Sequence, residues 1–265
     1  MRVTAGVLGT LAVAACSGCA EQGAAADDKP GTTGPAYVRR AAERLTAAGT
    51  SRVRTTLRTT SGGTRVTITG RGRFDYARQR GTLTVTPPDT EHGGAGDTAP
   101  IVEVFSPGVL HMRNRGAGVP ADKWVRLDVT TLPDGNLLTN GATDPLSAAE
   151  LLRGAVDVRY EGRERVDGVL LRRFHGTGDL GAVARAAGPS EGEPAARFAA
   201  AAATFGPKSF RFDAWFDDEG RLRRVQHRFA PVSATSVTEM YDFGVPVAVS
   251  MPAPEDIYTG RIATP

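Results

Sequence analysis

The chain has 265 residues, 40% hydrophobic and 23% charged, and a formal net charge of only +3. Both cysteines, Cys16 and Cys19, lie near the start and none follows, which excludes a disulfide framework for the body of the chain. Its arginines alternate along strands with threonines, acids and apolar residues instead of forming a block, a solvated strand face and not a nucleic-acid stripe, and past the N-terminal run no apolar segment reaches 18 residues.

In chain order, Arg2 precedes an uncharged, mostly apolar run from Val3 to Ala15 that ends in Val13-Ala14-Ala15-Cys16. A basic start, an apolar stretch and small residues before a cleavage point are the layout of a secretory signal peptide. About thirteen residues at ~1.5 Å each are too short for a ~30 Å hydrocarbon core. The end of the run resembles the lipobox of bacterial lipoproteins, which implies cleavage before Cys16 and diacylation of its thiol. Cys19 is the poorer acceptor, because a cysteine stands where an aliphatic residue is wanted. Residues 1–15 are therefore expected to be the signal and 16–35 a lipidated tether, since Ser17 to Gly34 holds no large apolar residue. Residues 36–265 are expected to be a single domain with its own core. Loss of Arg2 with the signal leaves a net charge of about +2.

The body opens with a short helix, in which Tyr37, Val38, Ala41, Ala42 and Leu45 repeat at helical spacing before Gly49. Strand signals then follow one another. Arg52 to Thr60 is threonine-rich. Arg65 to Tyr76 sets Val66, Ile68, Phe74 and Tyr76 on one face and Arg65, Thr67, Thr69, Arg71 and Arg73 on the other. Gly81 to Thr86 alternates, Pro87 to Pro100 is a polar loop, and Ile101 to Phe105 and Val109 to Met112 flank a Ser106-Pro107-Gly108 turn. Lys123 to Thr130 is a further alternating strand. Asp144-Pro145 predicts an N-cap and N1 for a helix continuing to Leu152. Val156 to Tyr160 is a strand, and Glu164 to Val166 and Val169 to Leu171 form a hairpin across Asp167-Gly168. Helices are expected over Asp179 to Ala187 and, rich in alanine, over Ala195 to Phe205. Ser209 to Phe216 pairs with Leu222 to Phe229 across Asp217 to Gly220, and Val237 to Phe243 and Val247 to Val249 complete the strands. The class is α+β, mainly β, an antiparallel sheet with one covered face.

The succession Lys123-Trp124-Val125-Arg126-Leu127-Asp128, Asp144-Pro145 leading a Leu-Leu helix, Gly162 to Thr177, Phe212 to Leu222 and Tyr241 to Val247 resembles the LppX/LprAFG lipoproteins over roughly Tyr37 to Asp256. The resemblance implies a highly curved half-barrel with helices on its concave side, related to the LolA and LolB carriers. It also implies a cavity for lipid or glycolipid, movement of that cargo across the cell envelope with a transport partner, and no cofactor. The chain departs from that pattern in a glycine-rich insertion at Glu91 to Asp97 and in its alanine-rich helix.

Alanines at Ala195, Ala196 and Ala199 to Ala203 fill little space opposite a concave sheet. Either apolar volume remains for acyl chains, each buried methylene contributing about 0.8 kcal/mol, or the alanines let helix and sheet pack closely with no cavity. Candidate lining residues are Leu83, Val85, Val104, Met112, Leu146, Leu151, Leu152, Phe198 and Phe205. For any one of them alone, an ordinary core position is the commoner case.

Two motif strings do not carry enzymes. Gly176-Thr177-Gly178-Asp179-Leu180-Gly181 matches GxGxxG, but the strand before it belongs to an Asp-Gly hairpin, antiparallel and not βαβ. Gly188-Pro189-Ser190-Glu191-Gly192 matches GxSxG but lies between two helical stretches. His92, His111, His175 and His227 lack ligand spacing, and in their strands the common case is a surface or hydrogen-bonded imidazole. Asp217 to Gly220 lacks the twelve-residue calcium pattern. Two readings remain: a monomeric, non-catalytic lipid carrier or chaperone anchored through Cys16 on the extracytoplasmic side of the membrane, or a cell-surface interaction or sensory lipoprotein with a filled core.

Overall fold

A computed structural model describes residues 31–61, 64–86, 99–116, 118–138, 144–187, 193–205 and 208–260. Cys16 and its expected tether as far as residue 30, the 91–97 insertion and the GxSxG string lie outside the described residues, and Pro35, expected to close the tether, is the first residue of α1. The strands are β1 (Thr50–Ser61), β2 (Thr64–Asp75), β3 (Arg80–Thr86), β4 (Ile101–Ser106), β5 (Val109–Arg113), β6 (Trp124–Asp128), β7 (Ala155–Val166), β8 (Val169–Asp179), β9 (Ser209–Phe216), β10 (Leu222–Phe229) and β11 (Ala234–Tyr241). They form one 11-stranded sheet in the order β6-β5-β4-β3-β2-β1-β11-β10-β9-β8-β7, antiparallel throughout. The first and last strands meet in the middle. β6 and β7 do not pair, so the curved sheet is an open half-barrel.

The helices are α1 (Pro35–Arg39), α2 (Ala41–Ala48), α3 (Pro145–Glu150), α4 (Leu180–Ala187) and α5 (Glu193–Thr204). They cover the concave side, and one buried cluster joins Leu45, Leu151, Leu152, Val183 and Phe198 to the inward residues of the strands. The α3 segment links the two sheet edges, passing from β6 to β7, and on the way lies against β10 and β11. Asp144 caps it as its position before Pro145 predicts, accepting from the Ser147 amide at 2.9 Å.

Curvature is built from glycine–phenylalanine pairs. The Phe74 ring lies where a Cβ on Gly81 would stand, the Phe212 ring where one on Gly176 would stand, and the Phe210 ring where one on Gly178 would stand. Aromatic rings resting on cross-strand glycines support a strongly bent sheet. Gly176 and Gly178 are thus packing glycines in a strand paired antiparallel on both sides, which removes the dinucleotide-fingerprint context.

Three elements differ from the sequence expectation. The first helix is two, interrupted at Arg40. The strands expected on either side of Gly162 are one 12-residue β7, because Gly162, at φ 91, absorbs a bulge instead of ending the strand. Val247 to Val249 is not a strand: Asp242 and Gly244 turn the chain at positive φ, Pro246 has no amide proton, and β1 is already paired on both sides.

The free edges are protected. The C-terminal segment covers β6, with Ile257 bridged to Trp124 and the Tyr258 amide donating to the Trp124 carbonyl at 2.8 Å. Along β7, Asp157, Arg159, Glu161, Arg163, Glu164 and Arg165 discourage edge-to-edge pairing.

Gly178→Ala should lower the thermal midpoint, with a loss of about 1–3 kcal/mol from overpacking against Phe210, whose ring supplies the nearest atoms. The Gly178→Ala/Phe210→Leu double variant should recover part of the loss by making room for the added methyl. Two losses that simply add, in paired thermal melts, would mean that the ring and the glycine are not coupled.

Candidate functional site: the covered inner face of the sheet

Strand alternation places one residue in two on the concave face. The inward rows bring together three aromatic groups. Tyr37, Tyr160, Phe174 and Phe216 meet at centroid distances of 5.2 to 5.6 Å. Phe205 of the segment closing α5 stacks on Phe229 at 5.7 Å, and Phe210 lies 5.8 Å from Phe229. At the other end, Phe74 touches Tyr76 and Phe105 at 5.4 and 6.2 Å.

Of the candidate lining residues, Leu83, Val85, Met112, Leu146, Leu151, Leu152, Phe198 and Phe205 all fall in this one cluster. Val104 does not. Ile101, Glu103 and Phe105 take the inward phase of β4, in register with Val85, Leu83 and Gly81, so Val104 points to the outer face opposite His111. The run Ile101-Val102-Glu103-Val104-Phe105 is apolar in both phases, and hydrophobicity alone does not separate them. In α5, Ala201 and Ala202 are buried while Ala199 and Ala203 are exposed.

The helical cover is fastened by polar contacts. Arg197 of α5, 8% exposed, donates from Nη2 to Ser147 Oγ at 2.8 Å and Asp144 Oδ2 at 3.4 Å, and from Nε to the Gly135 carbonyl at 3.1 Å. Thr204 Oγ1 donates to the Pro133 carbonyl. The 132–138 loop that receives these contacts is braced by the Asp134 carboxylate, which accepts the Asn136 and Leu138 amides. Beneath the latch lies a cavity of about 30 Å³, bordered by Phe74, Phe105, Val129 and Leu146 on one side and Glu150 and Arg197 on the other. That is roughly the share of one liquid water molecule and an order of magnitude below an ordinary ligand pocket.

Buried polar groups interrupt the inner face. Glu103 is fully buried between the Leu83 and Met112 positions, neither carboxylate oxygen has a hydrogen-bond partner, and burial pushes its pKa up to about 8. His227, inward on β10 beside Phe210 and Phe229, has no partner at Nε2, and burial holds it neutral with a pKa of about 3. The Thr55 and Thr238 hydroxyls, paired across β1 and β11, also lack partners. His111 lies buried on the outer face with Nδ1 unpartnered, and burial lowers its pKa. Neither His227 nor His111 is the surface or fully hydrogen-bonded imidazole expected from sequence. Among the described residues no three His, Cys, Asp or Glu side chains gather as metal ligands.

Arg197, Asp144 and Glu103 are the features of this interior that hydrophobic periodicity does not select as site residues. Glu103 carried a usable signal, a lone carboxylate in phase with Ile101 and Phe105.

No protein-family model and no curated protein sequence matches the chain. Among solved structures, lipoprotein LppX of Mycobacterium tuberculosis superposes with a TM-score of 0.51 at 12% identity, covering 82% of this chain and 97% of LppX. The chain has the LppX fold. LprF of Mycobacterium bovis gives a TM-score of 0.45 at 11% identity over 83% of this chain and 96% of LprF. A domain of Vibrio parahaemolyticus assigned to outer-membrane lipoprotein sorting gives 0.33 at 8% identity over 81% and 95%. No described helix is long and apolar enough to cross a membrane.

Glu103 ties the stability of this interior to pH. Its folded pKa lies above the unfolded value of about 4.3, so the folded state binds a proton that the unfolded state releases, and stability declines as pH rises from about 4.3 to about 8. Glu103→Gln should therefore melt above the parent, with a gap that widens across this range and closes below about pH 4.3. Melting temperatures in a pH series test this; a gap independent of pH would mean the carboxyl titrates normally.

Proposed function

We propose that the protein is a non-catalytic carrier or chaperone of the cell envelope, tethered through acylated Cys16 and taking the acyl chains of a lipid or glycolipid against the inner face of its sheet. The observation that carries this reading is the separability of the cover. The concave face is mainly apolar, yet α5 presents it chiefly with Phe198, Ala201 and Ala202 and is held by the Arg197 latch. The LppX fold, the lipobox at Cys16 and the resemblance in the strand and helix motifs support the same reading.

Cargo enters by displacement. The void under the latch, about 30 Å³, admits no acyl chain, and the larger cavity of about 390 Å³ is bordered by Arg54, Asp167, Arg223, Arg224 and Glu239 and not by α5. Binding against the inner face beneath the latch therefore requires α5 to move off the sheet and exchange its apolar contacts for those of the ligand. Each methylene that replaces a helix contact contributes about 0.8 kcal/mol against water, so a long chain can offset the lost packing without a specific polar contact. The latch sets the barrier to this opening, because breaking it leaves Asp144 with its buried carboxylate short of its cation.

The small void is also the observation that favours a second reading, a lipoprotein whose packed core serves only to present its outer surface to a partner. Uptake of a fluorescent fatty acid by the purified protein separates the two. Under the carrier reading the parent takes up the probe, and Arg197→Ala, destabilised by about 3–5 kcal/mol but folded by circular dichroism, takes it up several-fold faster. Absence of uptake in both, with no lipid found by mass spectrometry after organic extraction, would leave the packed-core reading. Cys16→Ala should leave the membrane fraction and yet retain uptake.

A further inference from the structure

The outer face of the two central strands differs from the rest of the sheet. From Arg52 to Thr60 on β1 and from Arg65 to Arg73 on β2, the outward positions hold Arg52, Arg54, Arg58, Arg65, Arg71 and Arg73 with threonines between them, and no acid. The register sets Arg52 directly opposite Arg73 and Arg54 directly opposite Arg71. Like charges placed opposite one another destabilise a strand pair. β3 continues the pattern outward with Thr82 and Thr84.

Neutralisation from the flanks is partial. Glu239 of β11 meets Arg54 at 3.2 Å but is shared with Arg224 at 3.4 Å, and Asp242 meets Arg52 at 3.6 Å. Arg73 reaches only the Pro246 carbonyl, at 3.5 Å. Arg58, Arg65 and Arg71 are exposed and have no ion pair or hydrogen bond among the described residues. On β8 to β10 acids share the outer face with the arginines: Asp213 accepts from Arg228 at 2.7 Å, Arg173 at 3.2 Å and His175 at 3.3 Å. Arg211 stands opposite Arg228 there, whereas these stretches of β1 and β2 carry two opposed arginine pairs and no outward acid.

We infer that this arginine–threonine platform docks the protein onto a membrane leaflet carrying anionic phospholipid headgroups. Guanidinium groups bind phosphate oxygens in pairs, and threonine hydroxyls are short enough to let the headgroups approach. The inference rests on the lipid-anchored reading for its choice of a membrane as partner. Under that reading acylated Cys16 holds the domain at the leaflet, which raises the local concentration of headgroups and makes a weak electrostatic contact effective. At ~0.15 M salt the Debye length is about 8 Å, so the attraction acts at contact.

The test compares the full-length protein with an Arg58→Gln/Arg65→Gln/Arg71→Gln variant and with a control of equal charge loss, Arg40→Gln/Arg159→Gln/Arg185→Gln, in vesicle co-sedimentation. All three carry the same N-terminal segment, so its insertion cancels. Parent and control should bind phosphatidylcholine–phosphatidylglycerol vesicles more tightly than phosphatidylcholine alone and lose the difference at about 1 M salt. The platform variant should bind the anionic vesicles roughly a hundred-fold more weakly, from about fivefold per arginine. Equal weakening in the control, or no preference for anionic vesicles in the parent, would overturn the inference. So would tighter binding to duplex DNA at the same phosphate concentration, which would mark the platform as a general polyanion site. Fatty-acid uptake should be the same in all three proteins, so failure here is distinct from failure of the carrier reading.

Discussion

An antiparallel sheet that bends but does not close has an apolar concave face that must be covered from within, and the other features of this molecule follow from that constraint. Neither edge strand finds a strand partner, so the cover comes from segments that interrupt the strand order: the N-terminal helices, the β6–β7 connection and the β8–β9 connection. Each contributes only one or two short helices. The longest, α5, has 12 residues, and it is the one fastened by a buried arginine. A cover assembled from short pieces on separate connections can move piecewise without unpairing the sheet.

The bend has its own chemical requirement. Gly81, Gly176 and Gly178 lie under phenylalanine rings, so the residues that resemble a nucleotide-binding string are there because a ring occupies the space of their side chains. The same inward face tolerates Glu103, His227 and a threonine pair without partners. Burial holds Glu103 and His227 in their neutral forms near neutral pH, so the interior is polar in places but uncharged there.

Much of this was legible along the chain. The Asp144-Pro145 cap, the Asp167-Gly168 turn and the alternation of Arg65 to Tyr76 are local signals, set by one residue's hydrogen bond, φ preference or face, and they appear where the local chemistry puts them. Eight of the nine candidate inner residues are apolar positions with a clear phase, and they do share one core. Val104 marks the limit: in a run apolar on both faces, phase is assigned only by pairing with β3 and β5. The latch was not legible, because Arg197 meets Gly135 and Ser147 across about fifty residues or more of sequence, and nothing local marks an arginine in an alanine-rich helix as buried.

By itself the sequence determined most of the strands and helices and the alternation of arginines with threonines on β1 and β2, because these depend on neighbours within a few residues. Only the tertiary structure decided that the first and last strands meet, that the sheet stays open, how much space the cover leaves and that the arginines of the two strands stand opposite one another. Those outcomes depend on register and packing between segments far apart in the chain, where a shift of one residue would turn Val104 inward and Glu103 out.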